Sequence, residues 1–296
     1  MAITIIISTV VLLLSAVAAL AAYLWFLWSR SGACFESDGL RLHYVEKGTG
    51  TPVILVHGFA ITLGGNWFLP HIFQRLAREY RVIAFDNRGH GRSTRFYKPE
   101  DYGTRFVEDI IRLMDHLNIE KAHVIGYSLG GFITLKLIEM YPERLLSAAP
   151  CGAGWTQDPE KELVISEKIA TSLEGGTGFL PLLEWLEPPG KPKRKRMIAV
   201  INAFMCWLFD VKAMAAIMRS FHQLMVSEEA LRANKVPALA IVGGKDPFCK
   251  FAKQLAEVTS NLELVIVPNG DHGTTVISGK TIRALRKFLE EHTPSD

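Results

Sequence analysis

Apolar residues are arranged in two distinct ways along the chain. Residues 2–28 form one nearly unbroken apolar run without a charged side chain, whereas the rest alternates short apolar runs with segments of helical periodicity. Several short runs are continuous and β-branched, as in buried parallel strands. The predicted strands are 41–46, 53–56, 82–85, 123–125, 146–149, 238–242 and 262–267. The predicted helices are 69–79, 104–117, 129–140, 251–260 and 280–291.

The alternation of strands and helices predicts an α/β fold with a mostly parallel sheet and helices on both faces. It breaks between residues 155 and 234, where no clear strand occurs. We interpret this stretch as a helical cap inserted over the carboxyl edge of the sheet, where open α/β folds keep their sites. The sequence therefore predicts an anchor at 1–30, a core at 35–154 and 235–296, and a cap at 155–234.

The N-terminal run is long enough to cross a bilayer as one helix, which takes about 20 apolar residues. Tyr23, Trp25 and Trp28 cluster at its end, where aromatic rings favour the membrane interface. We therefore expect a retained single-pass anchor over residues 2–28.

A cleaved signal peptide is the alternative, with Ala19-Leu20-Ala21 as a cleavage site. The sequence has no Lys or Arg before the apolar run, which continues past that site, and both features favour the anchor. Arg30, Arg41 and Lys47 follow the run, so the positive-inside rule favours a cytoplasmic body.

Composition and charge narrow the class of protein. The formal net charge of +3 is too small to indicate a nucleic-acid partner, and no nucleic-acid-binding motif is present. Only one run is long enough to span a bilayer, which excludes a multi-pass transporter. The four cysteines are widely separated and form no C-x-x-C pair, which disfavours a zinc site or a disulfide scaffold.

The strongest motif is Gly126-Tyr127-Ser128-Leu129-Gly130, which follows a predicted strand and opens a predicted helix. This is the setting of a nucleophile elbow, in which a serine sits on a sharp turn between strand and helix. Glycine two residues to either side lets strand and helix approach closely. The alternative is an ordinary glycine-rich turn. We predict that Ser128 is a catalytic nucleophile.

A serine hydroxyl needs a base, and the base needs an acid to orient it. His272 follows the last predicted strand, and Asp246 follows the one before it. The order Ser128, Asp246, His272 is the order expected for an elbow of this kind. Asp271 adjoins His272 and is a poor orienter, and Asp158 is the reserve candidate.

The reaction also needs backbone donors for the oxyanion. Leu129 follows the nucleophile at a helix N-terminus, so its N–H is one candidate. The second candidate is the N–H of Phe59, in the loop His57-Gly58-Phe59 after an early strand. We expect His57 itself to be structural.

These motifs together resemble the α/β-hydrolase superfamily, in its esterase and lipase branch and its membrane-anchored monoacylglycerol lipase-like members. The resemblance covers about 35–292. It is carried by 57–59, 86–93, 126–131, 243–247 and 271–272. The superfamily also contains lactonases, thioesterases, carbon–carbon bond hydrolases and cofactor-free perhydrolases.

Serine at 128 disfavours the dehalogenase and epoxide hydrolase branches, which resemble this chain but use aspartate there. Tyr127 departs from the asparagine common in carbon–carbon bond hydrolases.

Two features of the predicted cap bear on the substrate. Residues 191–196 are strongly basic, and 197–209 are apolar apart from Asn202. Four further side chains recur at helical spacing, namely Met214, Met218, Phe221 and Met225. Both segments pack the cap onto the core, or their methionines line an acyl pocket. The basic run is either a solvated loop or a contact with anionic lipid headgroups.

The sequence therefore predicts a membrane-anchored serine hydrolase of carboxylic esters, with lipid-like acyl glycerols as substrates and no metal or cofactor. Ser128, His272 and Asp246 form the triad, and the Phe59 and Leu129 N–H groups form the oxyanion hole. A hydrolase of soluble lactones, thioesters or carbon–carbon bonds is the first alternative. A non-catalytic lipid-binding or interaction protein on the same scaffold is the second.

Overall fold

An eight-stranded sheet forms the centre of the protein in the computed structural model, which describes residues 32–188 and 195–294. The predicted anchor and residues 191–194 of the basic run lie outside the described residues. The strands are β1 (Ala33–Ser37), β2 (Leu40–Lys47), β3 (Pro52–Val56), β4 (Arg81–Phe85), β5 (Ala122–Tyr127), β6 (Leu145–Cys151), β7 (Ala238–Gly243) and β8 (Leu262–Val267).

The strand order is β1-β2-β4-β3-β5-β6-β7-β8. In this order, every neighbouring pair in the series β4-β3-β5-β6-β7-β8 is parallel. Strand β2 pairs with β4 antiparallel. The continuous apolar runs become the central strands, and every residue of β5 and β7 is buried. The predicted mostly parallel sheet with helices is confirmed. The sequence missed β1, a five-residue segment at the sheet edge that includes the charged Glu36.

Helices connect the strands and cover the sheet. They are α1 (Ile72–Leu76), α2 (Arg105–His116), α3 (Leu129–Met140), α4 (Pro159–Glu174), α5 (Leu180–Leu186), α6 (Lys195–Leu208), α7 (Val211–Ser220), α8 (Glu228–Ala233), α9 (Cys249–Val258), α10 (His272–Val276) and α11 (Gly279–His292).

The helix predicted at 69–79 is shorter than expected. A π-helical turn occupies Gly64–Phe68, and α1 begins only at Ile72. Pro70 cannot donate a backbone hydrogen bond, and His71 has a left-handed φ of 60°, which interrupts the helix before Ile72.

The segment predicted as a cap contains five helices, α4 to α8, and no strand among its described residues. Helix α4 packs against α7, and α5 packs against α4 and α6. The described residues from Cys34 onward belong to one compact unit, so these helices share the core's unit.

Among the residues that the structure describes, no single helix is both long and apolar enough for a membrane span. Helix α6 and the segment Val211–Leu224 are long and apolar enough only when they are taken together. The chain bends by 97° between them.

Candidate active site

Ser128 lies on the sharp turn between β5 and α3. Its φ of 57° and ψ of −118° lie outside the usual regions for a residue with a side chain. Such a conformation costs about 1–3 kcal/mol and persists only where the surroundings enforce it. Here the Ser128 N–H donates to the Cys151 carbonyl at 2.9 Å, and the Ser128 carbonyl accepts from Gly131 at 2.8 Å. The turn is therefore held by the adjacent strand and by the first turn of the helix.

The two glycines of the elbow are required by close packing. A Cβ on Gly126 would lie 1.9 Å from the Gly130 carbonyl oxygen. A Cβ on Gly130 would lie 2.0 Å from the carbonyl oxygen of Val56, in the neighbouring strand β3. A side chain at either position would force the strand and helix apart, which would move Ser128.

His272 and Asp246 meet after the last two strands of the sheet. The His272 Nδ1 lies 2.8 Å from Asp246 Oδ2, and the Asp246 side chain is fully buried. The other carboxylate oxygen accepts from the Phe248 N–H at 2.9 Å. Because an ionised carboxylate only accepts, Nδ1 carries the proton and Nε2 is left as the acceptor. No hydrogen bond links Ser128 Oγ to His272 in the described part of the chain, and such contacts are often longer before substrate binds.

The two alternative acids occupy other places. Asp271 begins α10, and its side chain accepts from the Thr274 N–H at 2.8 Å in a capping box. Asp158 precedes the cap helix α4. The structure therefore pairs His272 Nδ1 with Asp246.

The predicted oxyanion donors lie beside Ser128. Phe59, Ser128 and Leu129 line the same cavity. Within the described residues, the N–H groups of Phe59 and Leu129 donate no hydrogen bond. The Leu129 N–H belongs to the first turn of α3, where backbone donors have no partner inside the helix. Two unpartnered donors beside a nucleophile could bind a developing negative charge.

His57 fixes the loop that carries Phe59. Its Nε2 accepts from the Asn87 N–H at 2.9 Å, and its Nδ1 donates to the Gly58 carbonyl at 2.8 Å. Burial lowers the pKa of His57, so the ring is neutral and can accept at Nε2. His57 is therefore a structural residue of this loop.

His90 holds the other end of the same loop, a role that the sequence analysis missed. Its Nε2 accepts from the Ala60 N–H at 3.2 Å, and its Nδ1 lies 3.1 Å from the Arg88 carbonyl. Burial lowers the pKa of His90 to about 3. The ring centroids of His57 and His90 are 5.0 Å apart, edge to face. These neutral histidines bracket Phe59 and position its N–H.

Tyr127 is a second residue whose role the sequence did not indicate. Its hydroxyl donates to the His272 carbonyl at 2.5 Å, and its ring centroid lies 5.4 Å from the imidazole. The Phe248 ring lies at the same distance from His272. Tyr127 thus links the elbow directly to the loop that carries the predicted base.

An apolar cavity lies between the elbow and the cap, with about 120 Å³ of free space. One water needs only ~10–15 Å³ of such space, so the cavity can hold a larger group. Its cap side is lined by residues of α4, α5 and α7 with Phe221. These are Ile165, Ser166, Ile169, Leu182, Trp185, Leu186, Met218 and Phe221. Among the lining residues that the structure describes, Lys250 is the only one with a charged side chain.

The cap residues singled out in the sequence have different positions. Met218 and Phe221 line the cavity beside Ser128. Met214 is fully buried, and Met225 lines a separate hollow. The run at 197–209 contributes no residue to the lining of the Ser128 cavity, because one face of α6 points to solvent instead.

Within the described residues, no three His, Cys, Asp or Glu side chains group closely enough to hold a metal ion.

Comparisons with known proteins agree with this fold. Residues 51–178 match the family model of the alpha/beta hydrolase fold. A non-heme chloroperoxidase of Kitasatospora aureofaciens is 24% identical over 272 residues, covering 87% of this chain and 98% of that protein. The dihydrolipoyllysine-residue acetyltransferase component of the acetoin cleaving system of Pseudomonas putida is 27% identical over 275 residues, covering 87% of this chain and 69% of that protein.

A solved structure shows the same architecture. The enol-lactonase from Burkholderia xenovorans superposes with a TM-score of 0.71 at 21% identity, over 87% of this chain and all of that one. The family-model match over residues 51–178, the shared architecture and the sheet described above together identify an α/β-hydrolase fold.

Proposed function

We propose that this protein is a serine hydrolase of carboxylic esters that acts through Ser128, His272 and Asp246. The observation that carries the proposal is the position of Ser128. It lies on a strained turn in an apolar cavity, beside the unpartnered N–H groups of Phe59 and Leu129. Asp246 orients His272 so that Nε2 is available to accept a proton.

The reaction follows from these positions. Ser128 Oγ attacks the ester carbonyl carbon, and His272 Nε2 accepts the hydroxyl proton. The carbonyl oxygen becomes an oxyanion that accepts hydrogen bonds from the N–H groups of Phe59 and Leu129. Asp246 stabilises the imidazolium. The intermediate then releases the alcohol, which takes the proton from His272.

Deacylation repeats the same steps with water. His272 Nε2 accepts a proton from the water, whose oxygen attacks the acyl carbon. The bond to Ser128 Oγ breaks, and Oγ recovers its proton from His272. The carboxylic acid leaves, and the enzyme returns to its starting state.

The lining of the cavity supports an apolar acyl group. Leu182, Leu186 and Met218 face the space beside Ser128, and burying their surface against an acyl chain contributes roughly 25 cal/mol per Å². We therefore propose lipid-like esters such as acyl glycerols as substrates. A soluble lactone is the second candidate, because the enol-lactonase shares the fold.

Labelling with a fluorophosphonate tests the nucleophile. The parent protein should react covalently, and Ser128→Ala should lose both labelling and hydrolysis of a nitrophenyl ester. Ser260→Ala is the matched control, since Ser260 lies on an exposed turn away from the cavity. Retained turnover by folded Ser128→Ala would overturn the assignment. Absence of labelling in the folded parent would favour a non-catalytic binding protein.

A substrate panel separates the two candidate substrates. We expect kcat/KM to rise with acyl chain length among monoacylglycerols and to exceed the values for lactones and thioesters. A flat chain-length series with faster lactone turnover would favour the soluble-metabolite alternative, while leaving the triad intact.

We also propose that residues 2–28 hold the protein in a membrane with its catalytic body in the cytoplasm. The support is the uncharged apolar run and the basic residues that follow it. The full chain should stay in the membrane fraction after alkaline carbonate extraction. In spheroplasts its body should be protected from added protease. Release by carbonate, or a mature chain that starts after residue 21, would contradict the anchor.

A further inference from the structure

Helix α6 presents an apolar face to solvent. Its outward side chains are Met197, Val200, Ile201, Phe204 and Trp207, with exposed fractions of 44%, 69%, 38%, 56% and 79%. Their spacing of three or four residues, with one adjacent pair, puts them on one side of the helix. The rings of Phe204 and Trp207 lie 5.9 Å apart. The exposed face is therefore a continuous apolar surface rather than scattered residues.

The rotation of α6 is fixed by contacts on its inner side. Ile198 is buried, and the Asn202 amide oxygen accepts from the Phe179 N–H at 2.6 Å. The Asn202 amide nitrogen donates to the Thr177 carbonyl at 3.1 Å. A Cβ on Gly178 would lie 2.4 Å from Cys206 Sγ, so the helix lies close against this turn. These contacts keep the apolar face outward.

Elsewhere in the described structure, large exposed apolar side chains occur singly. They are Leu69, Tyr97, Val164 and Ile277. Single residues of this kind are normal on soluble proteins, whereas a contiguous apolar patch marks an interaction surface. The concentration of such residues on one helix indicates that α6 meets an apolar partner.

The charges next to this apolar face indicate the kind of partner. Lys195 and Arg196 are exposed at the start of α6, and the preceding sequence adds Lys191, Lys193 and Arg194. No Asp or Glu occurs between Lys191 and Leu208. An apolar face containing Trp and Phe, next to several basic residues, is typical of helices that lie in the interface of an anionic membrane.

Geometry favours lying on the membrane over crossing it. The 14 residues of α6 span ~21 Å, short of the ~30 Å hydrocarbon core. The chain then bends by 97° into the following helical segment, and Met214 and Ile217 of α7 are buried in the protein.

We propose that the outer face of α6 docks in the interface of a bilayer that contains anionic lipids. Helix α5, which packs against α6, carries Leu182, Trp185 and Leu186 of the cavity lining. Docking would therefore bring the cap side of the cavity to the lipid surface. This contact requires neither the predicted anchor nor a particular bond cleaved at Ser128.

A fluorophore attached at position 207 tests the docking in the full chain. The protein carries Ser128→Ala to remove hydrolysis, and Cys34, Cys206 and Cys249 are replaced by Ser. Trp207→Cys is labelled with an environment-sensitive nitrobenzoxadiazole. Leu69→Cys, at a site of similar exposure, is the matched control. Vesicles contain phosphatidylcholine with or without phosphatidylglycerol.

We expect vesicles with phosphatidylglycerol to shift the emission of the label at 207 to the blue and raise it several-fold. Acyl-chain nitroxide lipids should quench the raised emission. The label at 69 should not respond, and removing phosphatidylglycerol or adding salt should reduce the response at 207. Equal signals at 207 and 69 in vesicle-bound protein would overturn the proposal, as would failure to bind vesicles. A blue-shifted signal without vesicles would also overturn it, because another protein segment or a second copy would then cover α6.

Discussion

The loops after β3 and β5 and the helical cap face each other across one cavity, but the loops and the cap are held by different interactions. The loops depend on buried polar contacts, including those of His57 and His90 with backbone N–H groups. Arg88, in the loop after β4, forms a two-bonded ion pair with Asp109 at 2.6 and 2.7 Å, and both side chains are buried.

The cap borders the same cavity with apolar side chains, and its polar contacts lie nearer the surface. Arg219, 29% exposed, pairs with Glu174 at 2.6 Å and with Glu167. Exposed pairs of this kind contribute at most about 1 kcal/mol each. Directional contacts therefore fix the atoms that would react, whereas apolar packing sets the shape of the space for substrate. Changes in the loops should abolish turnover, and changes in the cap should alter selectivity.

The largest expected effect comes from Asp246→Asn. Its amide oxygen can still accept from the Phe248 N–H, so the fold should be retained, but the amide no longer favours the His272 tautomer with Nε2 free. Loss of this orientation reduces kcat on the order of 10⁴-fold in a related triad. Steady-state kinetics on a nitrophenyl ester measures the effect.

Asp271→Asn is the control for that experiment. Asn caps helices about as well as Asp, so α10 should remain intact and activity should change little. If Asp271→Asn instead reduced kcat as strongly as Asp246→Asn, the choice of orienting acid would be wrong.

His90→Leu should have a smaller effect on activity because it acts through the loop. The Ala60 N–H would lose its acceptor, and the neighbouring Phe59 N–H would no longer be held in place. Losing an oxyanion donor reduces kcat by about 10²–10³-fold, so displacing one should cost roughly 10²-fold or less. The expected loss is in kcat, with KM nearly unchanged, and an unaltered kcat in folded protein would contradict the role given to His90.

The same variant changes how stability depends on pH. Folded His90 has a pKa of about 3, whereas the unfolded chain binds this proton near pH 6.5. Between pH 3 and pH 6.5 the unfolded state therefore binds more protons than the folded state. The contribution of neutral His90 to the free energy of unfolding is complete above pH 6.5 and is lost as the pH falls. The free energy of unfolding, measured in urea, should fall from pH 8 to pH 5 by about 2 kcal/mol more in the parent than in His90→Leu. Equal decreases would mean that His90 is not held neutral.

Sequence reasoning worked best where geometry permits few residue types. The close approach of β5 to α3 permits only glycine at 126 and 130, so the elbow can be recognised in the sequence from its glycine spacing. Buried parallel strands left continuous apolar runs. The motifs that contain His90 and Tyr127 did not reveal what these side chains do, because a buried imidazole or phenol can bond to many backbone groups that become neighbours only after folding.

The cap was harder to predict for the same reason. The apolar run at 197–209 was expected to pack against the core or line a pocket, whereas α6 buries Ile198 and exposes Phe204 and Trp207. Periodicity shows that a helix has apolar residues, but not which side is covered. Asn202 was the only clearly polar residue in the run, and it faces inward to cap the 177–179 turn.

The smallest expected effect is a change in selectivity from Met218→Phe in the cap. Met218 lines the cavity and is 6% exposed, so a larger, stiffer ring should take up space used by a long acyl chain. One methylene in an apolar pocket changes discrimination by about 10-fold or more, so the ratio of kcat/KM for long over short esters should fall by about that factor. Met214→Phe controls for overpacking, since Met214 is one turn earlier on α7 and does not line this cavity. A similar change in the ratio for both variants would mean that it reflects general loosening of the cap. An unchanged ratio in Met218→Phe would mean that the acyl chain binds elsewhere, and the division between a reactive core and a selective cap would then fail.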